Sequence, residues 1–290
     1  MRRIYDIMQV NDTKRGEKDC MNSSVSVLSD ISYGKHERHK IDVFIPGKVK
    51  AGSGVILFIH GGGWSDGDKS VHHPDAQFFC ERGFICAVMN YRFVSEALNV
   101  SDELDDITAA LKKIKEVCAE KGFSAEKLIF SGGSAGAHLA LLYSYLRRDA
   151  SPVLPVAVCA YCPPVSCFAD DFLLGISGEF EEWKYSVLSA CCGERLTKDS
   201  FCGASQQEAL RRISPIEYVT PQCIPTAVFY GARDELIPVS HIKAFIKLLE
   251  ENNVTNESLV YENSGHALDK DPETALDAKK IILKYAERYF

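Results

Sequence analysis

Short, continuously apolar runs alternate with helix-forming segments along most of this chain, and this alternation restricts the fold more than any other feature. The predicted strands cover residues 40–45, 55–59, 85–90, 128–130, 156–161, 226–230 and 258–261. Most of these runs lack the polar alternation of a strand with one solvated face, which indicates burial on both faces. The predicted helices cover residues 101–121, 135–147, 239–252 and 272–289. This order predicts an α/β fold with a mostly parallel central sheet and helices on both faces.

The predicted helix over residues 101–121 is the clearest of the four. Ser101 is a suitable N-cap, and apolar residues recur at helical spacing from Leu104 to Val117. Gly122 follows directly, as glycine often does where a helix ends.

Residues 162–225 interrupt the alternation with prolines, glycines and short helical pieces, including one over residues 178–192. A stretch of this length between two strands predicts an inserted cap over residues 163–221, in which Phe172, Phe180 and Trp183 are candidates for substrate contact. Residues 1–20 are predicted to be a polar arm, and residues 21–290 a single domain that includes the cap.

Composition and charge exclude several classes of function. The hydrophobic content of 46% is that of a globular protein, and 33 basic against 40 acidic residues give a net charge of −7. That charge disfavours a nucleic-acid partner, and no apolar run is long enough to cross a membrane. The first residues lack the apolar stretch of a secretory signal, so we expect a cytoplasmic protein.

The eleven cysteines are scattered through apolar runs, which predicts reduced thiols and no disulfide framework. Cys159 and Cys162 form one C-x-x-C pair, but the chain offers no second pair to complete a zinc site. We therefore expect neither a metal nor an organic cofactor.

The strongest local motif is the G-x-S-x-G of residues 132–136, placed directly between a predicted strand and a predicted helix. A sharp strand-to-helix turn lifts the Ser134 hydroxyl clear of the sheet, and it needs small neighbours. The helix N-terminus places partial positive charge where an oxyanion would form. A phosphate-binding glycine loop is the alternative interpretation of the motif alone.

A second glycine motif favours the nucleophile interpretation. His60, three glycines and Trp64 follow the predicted strand 55–59, so both motifs lie at the carboxyl ends of strands, where open α/β sheets build their sites. The backbone N–H groups of Gly62, Gly63 and Ala135 would together stabilise a tetrahedral oxyanion.

On these two motifs, and on Asn90-Tyr91-Arg92 after the next strand, the sequence resembles the α/β-hydrolase superfamily from about residue 30 onward. The likeness is to its hormone-sensitive-lipase-like and small-carboxylesterase branch, which carries an H-G-G-G oxyanion motif. The resemblance implies a Ser, Asp or Glu, then His order for the catalytic triad.

That order selects the acid and the base. Asp234 follows the predicted strand 226–230 in the family's G-x-x-D pattern, with Glu235 as the adjacent alternative. His266 follows the last predicted strand in a G-H context. His138 precedes the acid, which is the wrong order for the base, and the resemblance implies that His60 braces the oxyanion loop.

The sequence therefore predicts a serine hydrolase that cleaves carboxylic esters of short or aryl acyl groups through an acyl-enzyme. An amidase is the alternative among enzymes, because related arylformamidases carry H-G-G-x-W and Trp64 matches the last position, where we expect substrate binding. A ligand receptor without catalysis is the alternative from another class. The expected partner is a small-molecule ester, and the sequence also allows a homodimer.

Overall fold

A computed structural model describes residues 24–50, 52, 54–169, 172–173 and 181–290 of the chain. The predicted polar arm lies outside the described residues. Eight strands form one sheet in the order β1-β2-β4-β3-β5-β6-β7-β8. Their bounds are β1 Val25–Ser32, β2 Lys40–Pro46, β3 Val55–Ile59, β4 Ile85–Met89, β5 Lys127–Gly133, β6 Leu154–Tyr161, β7 Thr226–Gly231 and β8 Asn256–Tyr261.

Seven α-helices lie in the described part of the chain. They are α1 His73–Cys80, α2 Val100–Glu120, α3 Ala135–Leu146, α4 Glu181–Cys192, α5 Ala204–Arg212, α6 Val239–Glu251 and α7 Thr274–Tyr289. None of the helices in the described ranges combines the length and the hydropathy needed to span a bilayer.

The sheet is parallel from β4 through β8 in spatial order, and β1 and β2 extend it as antiparallel strands. Every residue of β3 and β4 is buried. Because successive side chains of a strand point to opposite faces, both faces of this region are covered. The predicted α/β-hydrolase fold class, with its mostly parallel sheet, is confirmed.

Several elements differ from the sequence prediction, and two of them show why. Helix α2 begins at Val100 with Asn99 as its N-cap in a capping box with Asp102, so the prediction of Ser101 as the cap was wrong by two residues. Strand β1 was not predicted, because it is an edge strand whose side chains are exposed or half-buried on both faces.

Between β6 and β7 the chain carries α4, α5 and a 3-10 turn at Pro215–Tyr218. The two ends of this segment are joined to each other. The Ile216 N–H donates to the Val165 carbonyl at 3.0 Å, and the Cys167 N–H donates to the Ser214 hydroxyl at 2.8 Å. These two hydrogen bonds hold the ends of the segment next to each other, and we call them the clip. The prediction that residues 163–221 act as a cap stays a prediction.

Candidate active site

Ser134 occupies a strained turn between β5 and α3. Its backbone lies at φ 52° and ψ −121°, a region that residues other than glycine rarely adopt. The turn fits because its neighbours are small: a Cβ added to Gly136 would lie 2.1 Å from the Ile59 carbonyl oxygen, and one added to Gly132 would lie 2.8 Å from it. The Ser134 N–H donates to the Tyr161 carbonyl at 2.8 Å, which ties the turn to β6.

The structure brings Ser134, His266 and Asp234 into one hydrogen-bonded row. His266 Nε2 lies 2.9 Å from the Ser134 Oγ, and His266 Nδ1 lies 2.7 Å from Asp234 Oδ2. With an ionised Asp234, Nδ1 donates to the carboxylate and Nε2 is left to accept the Ser134 proton. The three residues follow β5, β8 and β7, so they meet at the carboxyl edge of the sheet.

Asp234 is held on both of its oxygens. While Oδ2 faces His266, Oδ1 accepts the N–H groups of Leu236 at 2.9 Å and Ile237 at 3.0 Å. The Asp234 side chain is completely buried and the His266 side chain is 14% exposed. Glu235, the alternative acid, is exposed and makes none of these contacts. The geometry therefore favours Asp234 over its neighbour.

The loop that carries His266 is fixed by an acid that the sequence analysis did not single out. Asp271 accepts the Ser264 hydroxyl at 2.7 Å, and the N–H and the side-chain amide of Asn263 at 3.1 and 2.9 Å. Gly231 lets this loop approach β7, because a Cβ there would lie 2.2 Å from the Gly265 carbonyl oxygen. No motif signals Asp271, since its role depends on the local fold of the loop.

The glycine loop after β3 packs directly on the Ser134 turn. A Cβ added to Gly61 would lie 2.9 Å from the Gly133 carbonyl oxygen, and Gly62 and Gly63 both have positive φ, at 121° and 56°. Within the described ranges, no backbone hydrogen bond pairs the N–H of Gly62, Gly63 or Ala135 with another residue. These three donors are therefore available for a developing oxyanion, which remains a proposed role.

His60 lies beneath this loop and is fully buried. Its Nδ1 lies 2.7 Å from the Gly61 carbonyl, and its Nε2 accepts from Arg38 at 3.2 Å. Burial lowers the pKa of His60 to about 3, and the Arg38 charge acts in the same direction. His60 is thus a neutral residue in contact with the loop. Arg38, which also donates to the Tyr91 and Gly67 carbonyls, was missed because nothing local in the sequence marks it.

Trp64 is almost completely buried. Its side chain is 2% exposed, and its indole N–H donates to His138 Nδ1 at 3.0 Å. The structure thus places the Trp64 ring against His138, and the substrate contact that the sequence analysis assigned to Trp64 stays a prediction.

Trp183, on α4, lies over the glycine loop instead. A Cβ added to Gly63 would lie 3.0 Å from its indole ring. Of the other two apolar candidates, Phe172 is fully buried, and Phe180 lies outside the described residues.

Cys162 is the one cysteine of the C-x-x-C pair that reaches the site. A ligand atom from each of Cys162, Asp234 and His266 lies within 4.8 Å of the others. Burial raises the pKa of the Cys162 thiol, and the Asp234 carboxylate raises it further, so the thiol stays protonated. Asp234 and His266 are hydrogen-bonded to each other, as they would be in a catalytic triad.

Several known proteins are similar to this chain. A family model described as BD-FAE matches residues 41–249. A probable isoprenylcysteine alpha-carbonyl methylesterase of Oryza sativa subsp. japonica is 25% identical over 259 residues, covering 84% of this chain and 57% of that protein. The probable carboxylic ester hydrolase LipM of Mycobacterium tuberculosis is 28% identical over 249 residues, covering 83% of this chain and 56% of that protein. The chain thus spans little more than half the length of these relatives.

Among solved structures, a truncated form of a carbohydrate esterase from gut microbiota superposes with a TM-score of 0.72 at 14% identity, covering 90% of this chain and 96% of that one. At this identity the likeness concerns the fold.

Proposed function

The chain belongs to the BD-FAE family, and on that premise we propose that it is a serine-dependent hydrolase of carboxylic esters with short or aryl acyl groups. The observation that carries the proposal is the row of hydrogen bonds from Ser134 through His266 to Asp234, next to the glycine loop. In the described part of the chain, the N–H groups of Gly62 and Gly63 have no backbone acceptor. The names of both relatives describe ester hydrolysis, which supports the same reaction class.

The proposed mechanism follows from the roles that the geometry allows. His266 takes the proton as the Ser134 Oγ attacks the ester carbonyl, and Asp234 keeps the imidazole in the required tautomer. The negative charge on the carbonyl oxygen is received by the N–H groups of Gly62, Gly63 and Ala135. The alcohol leaves with the proton from His266, and water activated by the same imidazole then releases the acid. None of these steps uses a metal or an organic cofactor.

The preference for small acyl groups is supported by the position of Trp183. Its ring lies against Gly63, so it narrows the space above the proposed oxyanion site. A narrow, aromatic-lined space suits acetyl to butyryl or aryl groups, because a modest pocket then encloses most of the ligand. The net charge of −7 also disfavours adsorption to anionic lipid, so the substrate we propose is a dissolved small molecule rather than a lipid interface.

The two alternatives differ from this proposal in a measurable way. A non-catalytic receptor would gain nothing from a nucleophile, base and acid held in line, which counts against it. The amidase interpretation rests on the match of Trp64 to the H-G-G-x-W motif, whereas the names of both relatives describe ester hydrolysis, which favours the ester over the amide.

Labelling with a fluorophosphonate tests the proposal, together with turnover of p-nitrophenyl esters of increasing chain length and of an aryl formamide. The parent protein should be labelled at Ser134 and should prefer acetyl to butyryl esters. Ser134→Ala should lose about 10³-fold or more in kcat. Ser144→Ala is the matched control, because Ser144 is a buried serine on α3 with no hydrogen-bond partner among the described residues. Absence of labelling, or formamide turnover above ester turnover, would contradict the proposal.

We further propose a cytoplasmic location and no nucleic-acid partner. The ten cysteines in the described ranges are all free, and most are buried, which suits a reducing compartment. The homodimer that the sequence allows remains a prediction for size-exclusion chromatography with light scattering.

A further inference from the structure

His138 is a fully buried histidine on α3 for which the proposed mechanism has no use. It lies four residues after Ser134, on the same helix face. Both of its ring nitrogens are engaged: Nδ1 lies 3.0 Å from the Trp64 Nε1, and Nε2 lies 2.6 Å from the Ile213 carbonyl oxygen. The residue therefore has no ring nitrogen left for a proton-transfer role.

The two partners of His138 fix a single tautomer. An indole N–H can only donate, so Nδ1 must accept, and Nε2 must then carry the proton that it donates to Ile213. Burial keeps the ring neutral, since it lowers the pKa of His138 to about 4. A protonated ring would turn Nδ1 into a donor facing the Trp64 donor.

His138 links three parts of the site that are far apart in sequence. Its backbone N–H donates to the Ser134 carbonyl at 3.0 Å, within the helix that begins at the nucleophile. Trp64 directly follows Gly63 of the glycine loop. Ile213 directly precedes Ser214, whose hydroxyl accepts the Cys167 N–H in the clip. One imidazole thus spans the turn, the loop and the base of the segment that carries Trp183.

We propose that His138 is a positioning residue that holds the oxyanion loop and the clip in register with the Ser134 turn. Through Trp64 it sets where the N–H groups of Gly62 and Gly63 point, and through Ile213 it sets where the segment with α4 meets the core. The inference rests on the proposed function, since it assigns His138 a part in the same reaction. Loss of the bond to Trp64 should weaken binding of the oxyanion more than binding of the substrate.

Two variants that break the same bond from opposite sides test this. Trp64→Phe removes the indole N–H and keeps an aromatic ring, and His138→Leu removes the imidazole that accepts from it. Each should lower kcat for a butyryl ester about tenfold, which corresponds to loss of about one buried hydrogen bond, with a smaller change in KM. The affinity for a trifluoromethyl ketone, which forms a tetrahedral oxyanion on the serine, should fall by a similar factor.

The double variant and a control separate positioning from general loss of stability. If both residues act through one bond, kcat of the double variant should be close to kcat of the less active single variant. If they act independently, the two fold-losses in kcat should multiply. Tyr145→Phe is the matched control, because it removes a buried hydrogen bond to Thr226 from the same helix, away from Ser134. It should leave kcat and the ketone affinity unchanged. Trp64→Phe preserves the test if His138→Leu does not fold.

The rate of Ser134 labelling by a fluorophosphonate separates the two ways of failing. If the parent protein is labelled and both variants are labelled and turn over ester at the parent rates, the inference is overturned and the proposed function stands. Multiplying effects in the double variant would also overturn it. If the parent protein is not labelled, the proposed function fails, and the inference fails with it.

Discussion

Acid should destabilise this protein partly through His138, and the size of the effect follows from its burial. In the unfolded chain the imidazole titrates near its ordinary pKa of about 6.5. In the folded protein burial lowers that pKa to about 4. Between these two values the unfolded state binds more protons than the folded state. Stability is therefore unaffected by this group well above about pH 6.5, falls as the pH drops below that value, and stops changing below about pH 4.

The expected magnitude at about pH 5 is about 2 kcal/mol for His138 alone, because the unfolded imidazole is then almost fully protonated and the folded one almost neutral. The free energy of unfolding is measured by urea denaturation with circular dichroism, at several values from about pH 7.5 to about pH 5. In His138→Gln the loss over this interval should be smaller than in the parent by about 2 kcal/mol.

The test compares the loss in free energy of unfolding between the parent and His138→Gln, because the other titrating groups contribute equally to both proteins. Tyr145→Phe is destabilised by a means unrelated to histidine, so it should keep the parent's full acid loss. Equal losses in the parent and in His138→Gln would refute the conclusion that the imidazole is held neutral between Trp64 and Ile213.

Three further experiments test the site and its surroundings. Asp234→Asn should lower kcat about 10⁴-fold by favouring the wrong imidazole tautomer, and exposed Glu235→Gln should change it less than about twofold; steady-state kinetics showing the reverse ranking would reassign the acid. Gly136→Ala should lower the free energy of unfolding by about 3 kcal/mol in urea denaturation, because the added Cβ would collide with backbone atoms. Gly133→Ala is the control and should be tolerated, because a Cβ there meets nothing within 4 Å. Equal stabilities of the two variants would disprove the packing argument. Trp183→Ala should raise kcat/KM for an octanoyl ester relative to an acetyl ester about tenfold, and an unchanged ratio would place the limit on acyl size elsewhere.

The parallel part of the fold could be predicted from the sequence because its strands are buried on both faces and read as unbroken apolar runs. The predicted strand 55–59 coincides with β3. Strand β1 escaped prediction because Ser26, Ser29 and Asp30 interrupt it at an exposed edge, and α1 because its eight residues are too few for a clear helical period. Where an element is short or its burial is slight, the apolar pattern carries little information.

The site residues also fall into two groups, those that a local motif marks and those that tertiary packing decides. Ser134 stands in a motif whose glycines are required by contacts within the turn, and the order of acid and base follows from the resemblance. The direction of the Trp64 ring and the partners of His138 depend on long-range contacts. His138 is separated from Trp64 by 74 positions in the chain and from Ile213 by 75. Such contacts are decided by tertiary packing, which explains why the sequence analysis did not find the contact between Trp64 and His138.

The clip also bears on how proteins of this architecture can diverge. Val165 and Cys167 are hydrogen-bonded to Ile216 and Ser214, so the two ends of the segment between β6 and β7 are fixed next to each other. A segment attached in this way can lengthen, shorten or be exchanged without shifting the register of β6 against β7, and longer loops cost little additional closure entropy. Duplicated copies of the gene could therefore acquire new substrates through changes in the exposed residues of this segment, while the inherited nucleophile, base and acid stay in place.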